Sequence, residues 1–153
     1  MKQDNCIFCK LANGDIPTNT IYEDDDFKVF MDVAPATKGH ALVVPKNHYA
    51  DIYEIEPEIL GKAVKVGQKV IKHATGVLGC EGYNLMQNNG EVSGQTVFHF
   101  HLHLIPRYKD MDNKNLLNWT SRQYKTIFTK YIDFGMKIVY NIIEKIYIKE
   151  ILI

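Results

Sequence analysis

Residues 97–106 read Val-Phe-His-Phe-His-Leu-His-Leu-Ile-Pro, three histidines in strict alternation with apolar residues. Successive side chains of an extended strand point to opposite faces. His99, His101 and His103 are therefore expected on one face, and Phe98, Phe100, Leu102 and Leu104 on the other. Pro106 cannot donate to a ladder and is expected to end the strand. Imidazoles lined up on a backed surface can hold a metal, or attack a phosphorus and move protons. A single histidine on a strand is ordinarily structural, but three on one face would repel one another if protonated. A metal held by this strand alone fits poorly, because residues i and i+4 stand roughly 13 Å apart on a strand.

A second group of candidates lies upstream. His40 and His48 flank the segment Ala41-Leu42-Val43-Val44-Pro45-Lys46, and Cys6 and Cys9 form a Cys-x-x-Cys pair near the start. Three readings of that pair stand side by side: a redox pair, which lacks the following βαβ pattern; two buried thiols; or half of a zinc site. His73 falls among helix residues on an expected solvated face. Cys80, between a glycine and a glutamate, has no basic neighbour to make it reactive. Gly90 and Gly94 form neither a dinucleotide nor a P-loop fingerprint. Asp24-Asp25-Asp26 reads as a solvated turn.

These residues need elements to position them. Cys6–Leu11 is a turn or short helix, broken by Asn13-Gly14 and Pro17. Strands are expected at Thr20–Glu23, from Phe27 to Asp32, at Ala41–Pro45, from Tyr83 to Gln87 and through the histidine run. A helix opens at Glu56-Pro57, carries apolar residues at Ile59, Leu60, Ala63, Val64, Val70, Ile71, Ala74, Val77 and Leu78, and stops at Gly79. The order predicts an α+β domain with a largely antiparallel sheet, the long helix on one face and the histidines on the other. Beyond Trp119, apolar residues at helical spacing alternate with lysines. That segment is too charged to span a membrane. It is expected to form a helix packed on its own domain or on a second subunit; a basic helix on a membrane surface is the other reading.

At 153 residues the chain is expected to be one domain with a real core. Its formal net charge of zero gives no reason to expect nucleic acid. No secretory leader pattern is seen at the start. The three cysteines do not make a disulfide framework, and a cytoplasmic setting is the simple expectation.

The run His99-Phe100-His101-Leu102-His103-Leu104-Ile105 resembles the signature of the histidine triad (HIT) superfamily, His-φ-His-φ-His-φ-φ with φ apolar. The resemblance extends from about Asp4 to Tyr108. It implies a HIT-like fold, an antiparallel sheet of about five strands with a long central helix and a C-terminal helix. The HIT domain would span 1–117, with a helical extension at 118–153 that this family does not usually carry.

The resemblance also implies roles. His101 would attack the α-phosphorus, His103 would donate to a phosphate oxygen, His99 would orient His101, and His40 would support the triad. Asn88, Gly94, Gln95 and Thr96 match the family's phosphate and ribose contacts, and Asp32-Val33 its ribose-binding pair. Ile7, Phe8, Leu11 and Phe30 fall where the family lines its base pocket. The implied activity is hydrolysis of nucleoside phosphoramidates through a nucleotidyl-His101 intermediate, chemistry that needs no metal. A histidine at 103, where transferase members carry glutamine, favours water as acceptor; Asn88, where dinucleoside polyphosphate hydrolases tend to carry glutamine, favours the phosphoramidase branch. Dinucleoside polyphosphate hydrolysis and a non-catalytic purine-nucleotide regulator are the alternatives. Some bacterial-type members hold a structural zinc, which carries over to Cys6, Cys9, His48 and His99. A homodimer is implied as well.

Overall fold

The computed structural model describes residues 1–109. The expected helical extension at 118–153 lies outside them. Five strands form one antiparallel sheet: β1 (Thr20–Glu23), β2 (Phe27–Met31), β3 (Ala41–Pro45), β4 (Gly82–Met86) and β5 (Leu102–Arg107), in the order β1-β2-β3-β5-β4. A short helix, α1 (Ile7–Ala12), precedes the sheet, and a long one, α2 (Pro57–Leu78), connects β3 to β4. This is the α+β architecture expected from the order of elements. Among the described residues no helix is long and apolar enough to cross a membrane.

Alternation along the strands sorts the two faces. On one, Phe27 and Val29 of β2, Ala41 and Val43 of β3, and Leu102 and Leu104 of β5 pack with Ala63, Val66 and Val70 of α2. On the other, Phe30, Leu42 and Val44 pack with Ala12, Phe8 and Leu11 of α1. His103 pairs with Leu42 in the β3–β5 ladder. It therefore belongs to the α1 face, opposite the long helix.

Local chemistry sets the ends of α2. Pro57 occupies the first turn, where its missing N–H costs nothing. Gly79 adopts φ 65° and its N–H closes on Thr75 O, a left-handed cap that glycine takes without Cβ strain. The buried stripe is Ala63, Val66, Gly67 and Val70, spaced i, i+3, i+4, i+7 as one helix face requires. Gly67 belongs to it because a Cβ there would lie 3.2 Å from Leu104 Cδ2, so the helix approaches the sheet closely. Two residues expected on the apolar face depart from it: Val64 is 48% and Val77 78% exposed. Val64 lies off the stripe, and Val77 sits in the last turn.

The histidine run also departs from a simple strand. β5 begins only at Leu102, so His99 and His101 precede the ladder. Phe100 N–H, which would extend the pairing with β3, donates instead to Tyr49 O at 2.6 Å. Pro45 O is taken by the His99 ring at 2.9 Å. Pro106 lies inside β5 and does not end it. Its carbonyl accepts from the buried Thr37 hydroxyl at 2.8 Å, so its nitrogen faces the loop ahead of β3, where no ladder acceptor waits. Phe98 is 48% exposed, unlike Phe100, Leu102 and Leu104, which are in the core. It lies before the ladder, in a bend, where strand alternation no longer fixes direction.

Candidate active site and metal centre

His40, His99 and His101 each have one ring nitrogen committed to a main-chain group whose role is unambiguous. Those partners fix where the protons sit. His101 is 5% exposed, and its Nδ1 lies 2.7 Å from His99 O. A carbonyl only accepts, so Nδ1 carries the proton and Nε2 keeps a bare lone pair. His40 is wired in the opposite sense. Ala36 N–H donates to its Nδ1 at 3.1 Å, which places the His40 proton on Nε2. That nitrogen lies 2.9 Å from His103 Nδ1. His103 must then accept there and carry its own proton on Nε2. The chain Ala36–His40–His103 thus turns His103 into a donor, while the His99 carbonyl leaves His101 with a free lone pair on Nε2.

The rings pack closely: His101 and His103 stand 4.8 Å apart between centroids, and His40 and His103 5.1 Å. Burial pushes His103 down to about 4, helped by its histidine neighbours, and lowers His101 and His40. Asp32 opposes the shift in all three. Its Oδ2 lies 3.6 Å from His40 Nε2 and 3.9 Å from His103 Nδ1, beyond hydrogen-bond range. The rings are therefore neutral near pH 7, the form in which an imidazole attacks phosphorus. Phe8 of α1 meets His101 edge-on, with centroids 5.0 Å apart, and leans on Phe30 at 6.1 Å.

The residues matched to phosphate and ribose divide into two kinds. Gln95 is buried, and protein partners occupy its amide. Nε2 donates to Ala50 O at 2.7 Å and Val97 O at 3.1 Å, and Oε1 accepts from Gly90 N–H at 2.8 Å. It pins the loop ahead of the triad. Asn88 is half-buried and donates to Gly94 O at 3.4 Å, whereas Gly94 and Thr96 are exposed. Asp32 Oδ1 accepts from Ala34 N–H at 2.9 Å, and Val33 beside it is fully exposed. Ile7 is 45% exposed, Leu11 half-buried and Phe30 buried. Main-chain groups of Ala36, Pro45 and Tyr49 complete the arrangement. No side-chain pattern could have announced them.

The last triad member does something else with its ring. His99 is fully buried, and its Nε2–H donates to Pro45 O. The bare Nδ1 faces Cys6 Sγ at 3.4 Å and Cys9 Sγ at 3.5 Å, and His48 Nδ1 stands 3.5 Å from Cys9 Sγ. The four ligand atoms all lie within 4.8 Å of one another. Two sulfurs and two imidazole nitrogens so gathered match the donor set and closed shape of a tetrahedral zinc site. The Pro45 carbonyl is the outer partner that aims a metal-binding imidazole. Burial pushes the Cys9 thiol up and His99 down to about 4, so a thiolate in this dry pocket needs a cation beside it. The residues fit the metal.

Comparison with known proteins shows the family. The family model described as HIT domain matches residues 13–110. Protein hit of Bacillus subtilis (strain 168) is 43% identical over 105 residues, which are 69% of this chain and 72% of that protein. The adenosine 5'-monophosphoramidase hnt1 of Schizosaccharomyces pombe is 43% identical over 103 residues, 67% of this chain and 74% of that one. A zinc-bound histidine triad family protein from Mycobacterium smegmatis matches with a TM-score of 0.68 at 39% identity, over 71% of this chain and 78% of its own. The chain belongs to the HIT domain family.

Proposed function

We propose that this HIT-family hydrolase cleaves nucleoside phosphoramidates and related nucleotidyl compounds, such as AMP-linked amines, through a covalent nucleotidyl-His101 intermediate. The observation that carries the reading is the bond from His101 Nδ1–H to His99 O, which leaves the Nε2 lone pair for attack. Similarity to an adenosine 5'-monophosphoramidase supports the substrate class.

In the first step the Nε2 lone pair forms a bond to the α-phosphorus as the phosphorus–nitrogen bond to the amine breaks. In the second, water attacks the same phosphorus and the His101–phosphorus bond breaks, releasing nucleoside monophosphate. In the first step the departing nitrogen takes a proton from solvent through the exposed Thr96 hydroxyl; in the second the attacking water leaves its hydroxyl on phosphorus and returns a proton to solvent, so that one water is split overall. His103 Nε2–H donates to a non-bridging oxygen, where charge develops. The Thr96 hydroxyl serves a phosphate oxygen or the leaving group, and Asn88 offers an N–H and its Oδ1 beside Gly94. Asp32 and Val33 flank the ribose, and Ile7, Phe8, Leu11 and Phe30 wall the purine. Gln95 contributes by holding the loop.

Zinc bound by Cys6, Cys9, His48 and His99 is structural in this reading and supplies closure of the fold around the triad. We also infer a homodimer, supported by β4 as an edge strand with Leu85 45% and Met86 36% exposed. Sedimentation at the mass of two chains is expected, and a monomer at micromolar concentration contradicts it.

The mechanism is tested by quenching the enzyme on an AMP-amine substrate and weighing it. A mass increase of one nucleotidyl group on the peptide holding His101 is expected, and its loss in His101→Ala together with turnover. Turnover surviving in that variant overturns the mechanism. AMP binding without any turnover or adduct supports a regulator instead, and preference for dinucleoside polyphosphates moves the substrate class.

A further inference from the structure

The cluster of Cys6, Cys9, His48 and His99 and the triad share more than proximity. We propose that this cluster is a positioning device for the nucleotide site: a divalent metal closed there sets both the aromatic wall and the bearing of the nucleophile. Metal and nucleotide then bind with positive coupling. The inference rests on the reading of Phe8 as pocket wall and His101 as nucleophile.

Two connections carry it. The first runs through α1. The helix is only six residues long, too short to hold its own shape in water. Its N-cap is Cys6, whose sulfur accepts from Cys9 N–H at 3.4 Å, and Cys9 lies fully buried one turn on. Between these two cysteines sits Phe8, whose ring meets His101 at 5.0 Å and His99 at 6.1 Å. Beyond the sulfurs and the two histidine rings, α1 packs on the small cluster around Phe30, Leu42 and Val44. Drawing Cys6 and Cys9 to a metal shared with His99 fixes where Phe8 stands.

The second connection is His99 itself. Its ring faces both sulfurs, while its carbonyl holds His101 Nδ1–H. Residues 99–101 precede the ladder, so sheet pairing does not hold that carbonyl in place. The ring, anchored at Pro45 O on one nitrogen and at the cluster on the other, does. A displacement of His99 therefore turns the nucleophile.

The test uses the full chain, AMP as nucleotide, and zinc or cobalt(II) as metal. Calorimetry is expected to show AMP binding about tenfold weaker after chelation, the scale on which partners around a metal act. By reciprocity, zinc affinity measured by chelator competition should rise by the same factor when AMP is saturating. His48→Gln, which removes a cluster ligand, should reproduce the weaker binding, and His48→Cys, which restores a fourth ligand, should recover it. In Phe8→Ala the factor should shrink. With cobalt(II) in the cluster, AMP should shift the cobalt–thiolate absorption, a readout that stands even if the stripped protein unfolds. Equal AMP affinity in folded loaded and stripped protein, or an unmoved cobalt spectrum with AMP bound, overturns the coupling alone. Failure of AMP to bind in any state overturns the nucleotide reading and the coupling with it.

Discussion

His99 and His103 stand at the two ends of one alternating run, with the same side chain and opposite commitments. His103 lies in β5, paired across the ladder with Leu42 and with Met86, and its ring points its free nitrogen into the site because His40 occupies the other. His99 lies ahead of the ladder, and its ring turns away from the site to Pro45 and the two cysteines. What differs is which group bonds the second nitrogen of each ring. A carbonyl that accepts from one ring nitrogen leaves the other with a free lone pair; an imidazole that donates makes the next one a donor. Function within the triad is assigned by hydrogen-bond partners more than by residue type.

The sharpest way to break that contrast is to remove each end in turn. His99→Ala takes away a fully buried ring, one member of the cysteine–histidine cluster and the anchor of the carbonyl that holds His101 Nδ1–H. It should abolish measurable turnover and lower the melting temperature by well over 10 °C, on the order of 3 kcal/mol or more for a small domain. His103→Ala should lower kcat by about a hundredfold or more, the scale of one preorganised donor, and shift melting by only a few degrees. Equal thermal losses in the two variants would erase the distinction.

A smaller effect tests the relay. In His40→Ala nothing fixes the His103 proton on Nε2, so kcat should fall roughly tenfold to a hundredfold with KM little changed. Activity at the full level would mean that the Ala36–His40–His103 order does not set the donor.

The mildest prediction concerns pH. His103 is pushed down to about 4 in the fold and His101 and His40 are lowered, against about 6.5 for a free imidazole. A group depressed in this way stays neutral in the native state while the unfolded chain takes up its proton. Stability is thus fully present above about 6.5 and lost as pH falls from there toward 4. Activity before substrate binds should likewise hold flat through neutral pH, and kcat/KM should decline only on the acid side of 6.5. A profile with its acid limb at or above 6.5 would show the rings to be ordinary ones.

The same contrast marks what could be read from the chain. β1 and β3, the opening of α2 and its glycine stop follow from local signals; packing reinforces β3 and α2, and the mostly exposed β1 is held by its ladder with β2. The histidines and the Cys-x-x-Cys pair stand out by residue type and spacing, since chemistry needs those side chains, whereas Phe8 enters only through the family resemblance. It does not show that β5 starts at Leu102, because that depends on Tyr49 O drawing off Phe100 N–H. Nor does it show Gln95 as a loop pin, which depends on carbonyls of Ala50 and Val97. The buried stripe of α2 includes a glycine that hydrophobic periodicity passes over, since its role is to let the sheet come near. Tertiary main-chain partners, invisible in residue types, are what the site adds.

Nitrogen NMR of the histidine side chains tests the central claim most directly. In the metal-loaded enzyme at pH 7, His101 is expected as the neutral Nδ1–H form, and His40 and His103 as neutral Nε2–H forms. A His101 ring found protonated on Nε2, or charged, would have no lone pair to give phosphorus and would contradict the account.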